Sequence, residues 1–179
     1  MRQNNAKRIR PTSGKVLSAL FNILNSAGLN DVDFLDLFAG TGRVALEALG
    51  RGARSATCVE ADRTLARAIS SHFGDAGYAG RARCVCSDVR RAIPSLAKEV
   101  EAGCPAYGVI FADPPYDSGW GGVLPLLIAE NRRLMAQGGV FIFERSSRET
   151  PVDIFVPRDD RIYGETVMSF YWNREANIA

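Results

Sequence analysis

The chain has 179 residues, 46% of them hydrophobic and 23% charged, the composition of a water-soluble globular protein with one substantial core. No apolar run approaches transmembrane length, and the start, Met1-Arg2-Gln3-Asn4-Asn5, carries no apolar signal-peptide segment. A membrane or exported protein is therefore not expected, and a cytoplasmic one is. Net charge is only +2, yet Arg2, Lys7, Arg8, Arg10 and Lys15 fall in residues 1–30 with no acid, while 31–179 hold 17 basic and 20 acidic side chains. The expected organisation is a basic N-terminal arm and helix over 1–30, packed on a mildly acidic domain over 31–179. Such an arm suits phosphate binding, and Arg2, Lys7, Arg8 and Arg10 are its candidate contacts.

In chain order, the first predicted element is a helix over Thr12–Asn25, with Val16, Leu17, Leu20, Phe21, Ile23 and Leu24 on one face and Ser26-Ala27-Gly28 as its stop. A strand follows at Val32–Phe38, then a helix over Gly42–Gly50. Next come a strand at Ser55–Glu60, a helix at Arg63–Phe73, a strand at Ala82–Cys86 and a helix at Val89–Glu101, in which Pro94 delays the start or kinks the axis. Tyr107–Ala112 is a buried strand, Val123–Leu134 a helix and Gly139–Glu144 a fifth strand. Asp160–Tyr163 and Thr166–Trp172 read as a terminal hairpin turned at Gly164-Glu165. The alternation of strand and helix predicts an α/β fold: a doubly wound, Rossmann-like, mostly parallel sheet with helices on both faces.

Cys58, Cys84, Cys86 and Cys104 form no Cys-x-x-Cys pair and are expected to act as small buried apolar residues. His72, the one histidine, falls in a helical stretch and is expected to be structural or exposed, so no metal site is expected.

Ligands of such sheets bind beyond the carboxyl ends of the strands, where the strand order reverses. Those ends carry Asp36 with Phe38-Ala39-Gly40-Thr41-Gly42, then Glu60-Ala61, then Ser87-Asp88, and then Asp113. Gly40 and Gly42 permit a tight turn and close backbone approach. Glu60 is spaced to accept ribose hydroxyls, and Asp88 to face an adenine amino group. The run Gly40-x-Gly42-x-x-Ala45 also satisfies the dinucleotide fingerprint, which leaves a nicotinamide-dependent dehydrogenase as an alternative. Charge separates the two: a pyrophosphate wants a helix start free of carboxylates, whereas S-adenosylmethionine carries an ammonium, a sulfonium and no phosphate. The expected cofactor set is Asp36, Phe38, Gly40, Gly42, Glu60, Ala61, Ser87, Asp88 and Asp113.

Asp113-Pro114-Pro115-Tyr116 ends the buried strand with a rigid corner. Proline fixes φ and removes a backbone N–H, so this corner offers a carboxylate and carbonyls but few donors. It suits a planar amino group with two hydrogens to give, and the Tyr116 ring can stack on the heterocycle that bears it. Asp113, Pro114 and Tyr116 are the candidate catalytic residues.

Three blocks together resemble the bacterial methyltransferases that modify guanine N2 in small-subunit ribosomal RNA. They are Arg10-Pro11-Thr12-Ser13-Gly14-Lys15-Val16 with Ala19 to Leu24, Asp36 to Gly42 with Leu46-Glu47-Ala48-Leu49, and Asp113 to Tyr116. Tyr163-Gly164-Glu165-Thr166 is also similar. The resemblance implies a class I methyltransferase fold, seven-stranded with the last strand antiparallel, in which the first block folds over the methionine end of the cofactor. It further implies ribosomal RNA as partner, alone or within a partly assembled small subunit, and a monomeric enzyme is expected. Where the family carries an Arg-Glu pair on the side expected to face RNA, this chain has Leu17-Ser18. Adenine N6 in DNA or RNA remains an alternative acceptor, and a non-catalytic cofactor- or RNA-binding module an alternative class.

Overall fold

The computed structural model describes residues 14–28, 30–115, 118–150, 152–154 and 158–174. Tyr116 and the arm residues Arg2, Lys7, Arg8 and Arg10 lie outside them. Twelve main elements follow in order: α1 (Gly14–Ser26), β1 (Asp33–Leu37), α2 (Arg43–Gly50), β2 (Ser55–Glu60), α3 (Arg63–Asp75), β3 (Ala82–Cys86), α4 (Val89–Glu101), β4 (Tyr107–Ala112), α5 (Leu124–Glu130), β5 (Met135–Ser146), β6 (Arg158–Tyr163) and β7 (Thr166–Trp172). No helix among the described residues is long and apolar enough to cross a membrane.

The strands form one seven-stranded sheet in the order β3-β2-β1-β4-β5-β7-β6. β1 pairs in parallel with both β2 and β4, and only β7 runs against its neighbours β5 and β6. After β1 the chain steps outward to β2 and β3, then returns to lay β4 on the other side of β1. That reversal leaves a crevice above the carboxyl ends of β1 and β4. Every residue of β1 and β4 is buried, because both faces of these central strands are covered.

Two apolar layers sandwich the sheet. α1, α2 and α3 cover one face through residues such as Leu20, Phe21, Leu49, Ile69 and Phe73. α4, the turn at Trp120 and α5 cover the other through Ile93, Leu96, Leu124 and Ile128. α1 follows its 3–4 spacing: Val16, Leu17, Leu20, Phe21 and Leu24 are all buried. Leu17 is therefore a core residue rather than part of an RNA-facing surface, and only Ser18 of that pair is exposed.

Several local expectations are corrected. α4 neither starts late nor breaks at Pro94; it begins at Val89, where the Asp88 side chain accepts the Arg90 N–H at 2.8 Å. The helix expected over 123–134 divides into α5 and a 3₁₀ turn at Arg132–Leu134, and another such turn, Trp120–Gly122, precedes it. Asn131 ends α5 by turning its side-chain amide back onto the Leu127 carbonyl at 2.9 Å. β5 starts four residues earlier than the apolar run suggests, across a register shift opposite Tyr107 and Val109. Cys58 is buried and Cys84 half-buried, but Cys86 and Cys104 are exposed. Cys86 lies on β3, the sheet edge, where one flank has no strand to cover it. His72 is exposed in the last turn of α3.

Gly108 admits the close approach of β4 to the segment before β1. A Cβ there would meet the Val32 Cβ at 2.6 Å, with no flexible side-chain end to give way. Gly108→Ala is expected to cost about 1–3 kcal/mol, the usual range for overpacking, in denaturant unfolding. Unchanged stability would mean that Val32 shifts freely.

Candidate functional site

The glycine loop is fixed by the strand beside it. Phe38 holds a left-handed φ of 64°, uncommon for a residue with a side chain, and turns the backbone out of β1. Gly40 (φ 56°) and Gly42 (φ 75°) continue the turn, and the Gly42 N–H closes it on the Ala39 carbonyl at 2.8 Å. A Cβ on Gly42 would press on Ile69 at 3.1 Å, so α3 packs directly against the loop.

Glu60, at the end of β2, links two loops. Its Oε2 accepts the Gly40 N–H and its Oε1 the Asp62 N–H, each at 2.8 Å. Each oxygen retains a second lone pair, so the side chain is oriented and still able to accept hydroxyl donors. Ala61 follows it in an exposed position. Ser87 joins β3 to this cluster, its N–H donating to the Glu60 carbonyl at 3.0 Å. Asp88 is exposed, and one of its oxygens caps α4, so it is a helix cap as well as a rim carboxylate.

Asp36 lies beneath the loop and is 1% exposed. The Ala45 backbone N–H of α2 donates to its carboxylate, but Oδ2 has no hydrogen-bond partner. Burial, reinforced by the charges of Asp113 and Glu60 and only partly offset by that hydrogen bond, pushes its pKa up to about 8. Asp113 follows β4 and is half-buried, Pro114 is buried and Pro115 exposed. The Pro115 carbonyl accepts the Ser118 hydroxyl, which closes the corner. The structure thus brings Asp36, Glu60 and Asp113 within electrostatic reach of one another, and Asp88 stands apart at the rim.

Glu144 was not among the sequence candidates. The register pairs Ala112 with Phe143, which sets Glu144 beside Asp113 on the same face of the sheet. It is 4% exposed, its Oε2 has no partner, and burial together with Asp113 pushes its pKa up to about 8. The signal was available: the fifth predicted strand, like the first four, ends in an acid. A second residue missed in the sequence is Glu149, whose Oε1 accepts the Gly121 N–H at 2.6 Å. Arg145 secures that loop by donating to the Glu149 carbonyl, to Ser169 Oγ at 3.0 Å and to Asp160 at 2.9 Å. The turn that follows the Asp113 corner is thereby tied to the end of β5.

Two buried carboxylate oxygens without partners, flanking Asp113, form a site that a cation would complete. Since both groups hold protons more tightly in the folded chain than in the unfolded one, stability of the ligand-free protein falls as pH rises from about 4 towards 8. Melting temperature is expected to drop between pH 6 and pH 8.5, and Asp36→Asn to remove much of that slope. A flat wild-type profile would contradict this reading of the cluster.

A family model described as conserved hypothetical protein 95 matches residues 1–172. The ribosomal RNA small subunit methyltransferase D of Escherichia coli is 38% identical over 111 residues, 62% of this chain and 52% of that protein, so the match spans about half its length. The putative rRNA methyltransferase YlbH of Bacillus subtilis is 31% identical over 170 residues, 92% of this chain and 88% of that protein. Among solved structures, a putative methyltransferase from Escherichia coli has a TM-score of 0.78 at 23% identity, covering 95% of this chain and 91% of that one. An RNA methyltransferase from Salinibacter ruber, in complex with S-adenosyl-L-homocysteine, has a TM-score of 0.61 at 16% identity, covering 93% and 95%. The fold is thus shared with these methyltransferase structures, and the chain belongs to the conserved hypothetical protein 95 family.

Proposed function

We propose that this chain transfers a methyl group from S-adenosylmethionine to the exocyclic N2 amine of a guanine in small-subunit ribosomal RNA. The observation that carries the reading is the buried Asp36 carboxylate, short of one partner, on the strand next to the donor-poor Asp113-Pro114-Pro115 corner. One neighbour seeks a cation and the other an amine. The names of the relatives above supply the nucleic acid class, and the first sequence block supports the ribosomal target.

Bound at the glycine loop, S-adenosylmethionine supplies an electrophilic methyl group on a sulfonium. Asp36 faces the cationic amino acid end, Glu60 accepts ribose hydroxyls, and Ser87 and Asp88 border the base, with Phe38 and Ala61 as apolar walls. A guanine amine is a weak nucleophile because its lone pair is delocalised into the ring. The Asp113 carboxylate and the Pro114 carbonyl accept its two N–H bonds, which aims the lone pair along the line of transfer. Tyr116 stacks on the base and fixes its plane. The new N–C bond would replace the methyl group's S–C bond, leaving a neutral thioether on the cofactor, and the nitrogen would then shed one proton to Asp113. Glu144, whose pKa burial and the neighbouring Asp113 push up to about 8, places a protonated carboxyl beside the acceptor.

The test is labelled methyl transfer to naked small-subunit RNA, partly assembled subunits and duplex DNA, with digestion of the products to nucleosides. N2-methylguanosine from RNA is expected, and Asp113→Ala should lower kcat by about 100-fold or more, the scale of lost orientation. N6-methyladenine would move the acceptor to adenine, and cofactor binding without transfer would make the chain a binding module. Glu144→Gln, which keeps a donor towards Asp113, is expected to retain kcat within about threefold, while Glu144→Ala loses about tenfold or more with the RNA KM unchanged. Equal losses in both variants would assign the role to the negative charge of Glu144 instead of its proton.

A further inference from the structure

Many of the arginines in the described residues are neutralised by acids. Arg51 pairs with Glu47, Arg54 with Asp33, Arg83 with Glu99, Arg133 with Glu101 and Arg161 with Asp159. A different group stands at the ligand end of the sheet. Arg43 opens α2 directly after Gly42, and Arg90 and Arg91 follow Asp88 in the first turn of α4. All three are exposed, and none makes an ion pair among the described residues.

Their positions oppose the usual placement of charge. A helix start carries the positive end of the peptide dipole and is stabilised by acids, with cations unfavourable there. The first turns of α2 and α4 hold no acid, although Asp88 caps α4, and each turn presents arginine. Helix stability does not account for these charges, whereas an anionic partner at the same rim does.

The two groups also lie on opposite sides of the crevice. Arg43 stands on the face covered by α1, α2 and α3, close enough to the start of α1 that a Cβ on Gly14 would meet its Nη2 at 3.9 Å. Arg90 stands on the other face, its guanidinium 4.0 Å over the ring of Trp120, which packs edge-on against Phe38 at 4.9 Å. The contact with Trp120 steadies the exposed Arg90 guanidinium, whose N–H groups can donate to a phosphate oxygen. An acidic floor bounded by arginines on both lips fits a strand whose base enters the crevice while its backbone stays outside.

We propose that Arg43 on one lip, and Arg90 with Arg91 on the other, grip the RNA phosphodiester backbone on the two sides of the target base. This rests on the RNA methyltransferase reading and adds a phosphate track on the folded body itself, apart from the N-terminal arm. The base so held is unstacked from its neighbours, as chemistry at an exocyclic amine requires.

RNA affinity at several salt concentrations, cofactor affinity and steady-state methylation test the assignment on Arg43→Gln, Arg90→Gln and the double variant, with Arg133→Gln as a distant control. The double variant is expected to raise the RNA KM by about tenfold or more and to reduce the salt slope by about 1.4, at about 0.7 for each phosphate contact to a single strand. Cofactor affinity and the control should match the wild type. An unchanged KM and slope in the double variant would overturn the proposal while leaving the methyltransferase reading intact. A loss of cofactor affinity or of kcat alone would also overturn it, because the arginines would then serve the site rather than the strand. A wild-type protein that neither binds nor methylates RNA would overturn both readings, and cofactor turnover on another acceptor would show which chemistry survives.

Discussion

A carboxylate held out of water with one hydrogen bond too few is the constraint on which this structure depends. Asp36 is enclosed by β1, the glycine loop and α2, and the Ala45 N–H meets only part of its need. Burying a charge costs far more than burying its neutral acid, so the side chain keeps its proton near neutrality and the site remains electrostatically incomplete. The glycine turn is held in place over it, since Gly40 is tied to Glu60 and Gly42 lies against Ile69. The fold thus holds, at the point where the strand order reverses, a carboxyl whose ionisation a neighbouring cation would favour.

Topology then sets a second demand beside the first. β4 returns to pair with β1, and the residue that follows its last strand position is Asp113. Two prolines remove competing donors, so the corner accepts hydrogen bonds and gives few. Glu144 on the next strand brings another buried carboxyl to the same face, and burial together with Asp113 makes that carboxyl hold its proton more tightly. Outside the crevice, the Arg145–Glu149 loop holds the Gly121 turn, so the corner is braced from the far side of β5. The acidic floor, the donor-poor wall and the arginine lips are three layers of charge arranged around one opening.

The sheet was legible because its strands are short, largely apolar runs separated by helical patterns, and β2, β3, β4 and β7 match their expected bounds. α5 was less so: the apolar positions of 123–134 continue with helical spacing, and nothing in that spacing reveals the Asn131 side chain turning back on Leu127. Asp88 was read only as facing an adenine amino group, and the structure shows that it also caps α4 by accepting the Arg90 N–H. Leu17 looked like a departure on a binding surface, yet its place in the apolar face of α1 assigns it to the core. Glu144 ends its strand in an acid as the other strands do, and the register that sets it beside Asp113 is what the local pattern does not reveal. Burial on both flanks, which decides the fate of Cys86, depends on strand order, and strand order is not written in local pattern.

The most direct measurement is carbon-13 NMR of the side-chain carboxyls across pH, with and without S-adenosylmethionine. Without cofactor, Asp36 should titrate at about 8. With the cation bound beside it, the midpoint should fall by about two units or more, since a neighbouring positive charge favours the ionised form. A midpoint that stays near its ligand-free value in the saturated complex would mean that Asp36 does not face the cofactor's charge, and the account of the site built on it would be wrong.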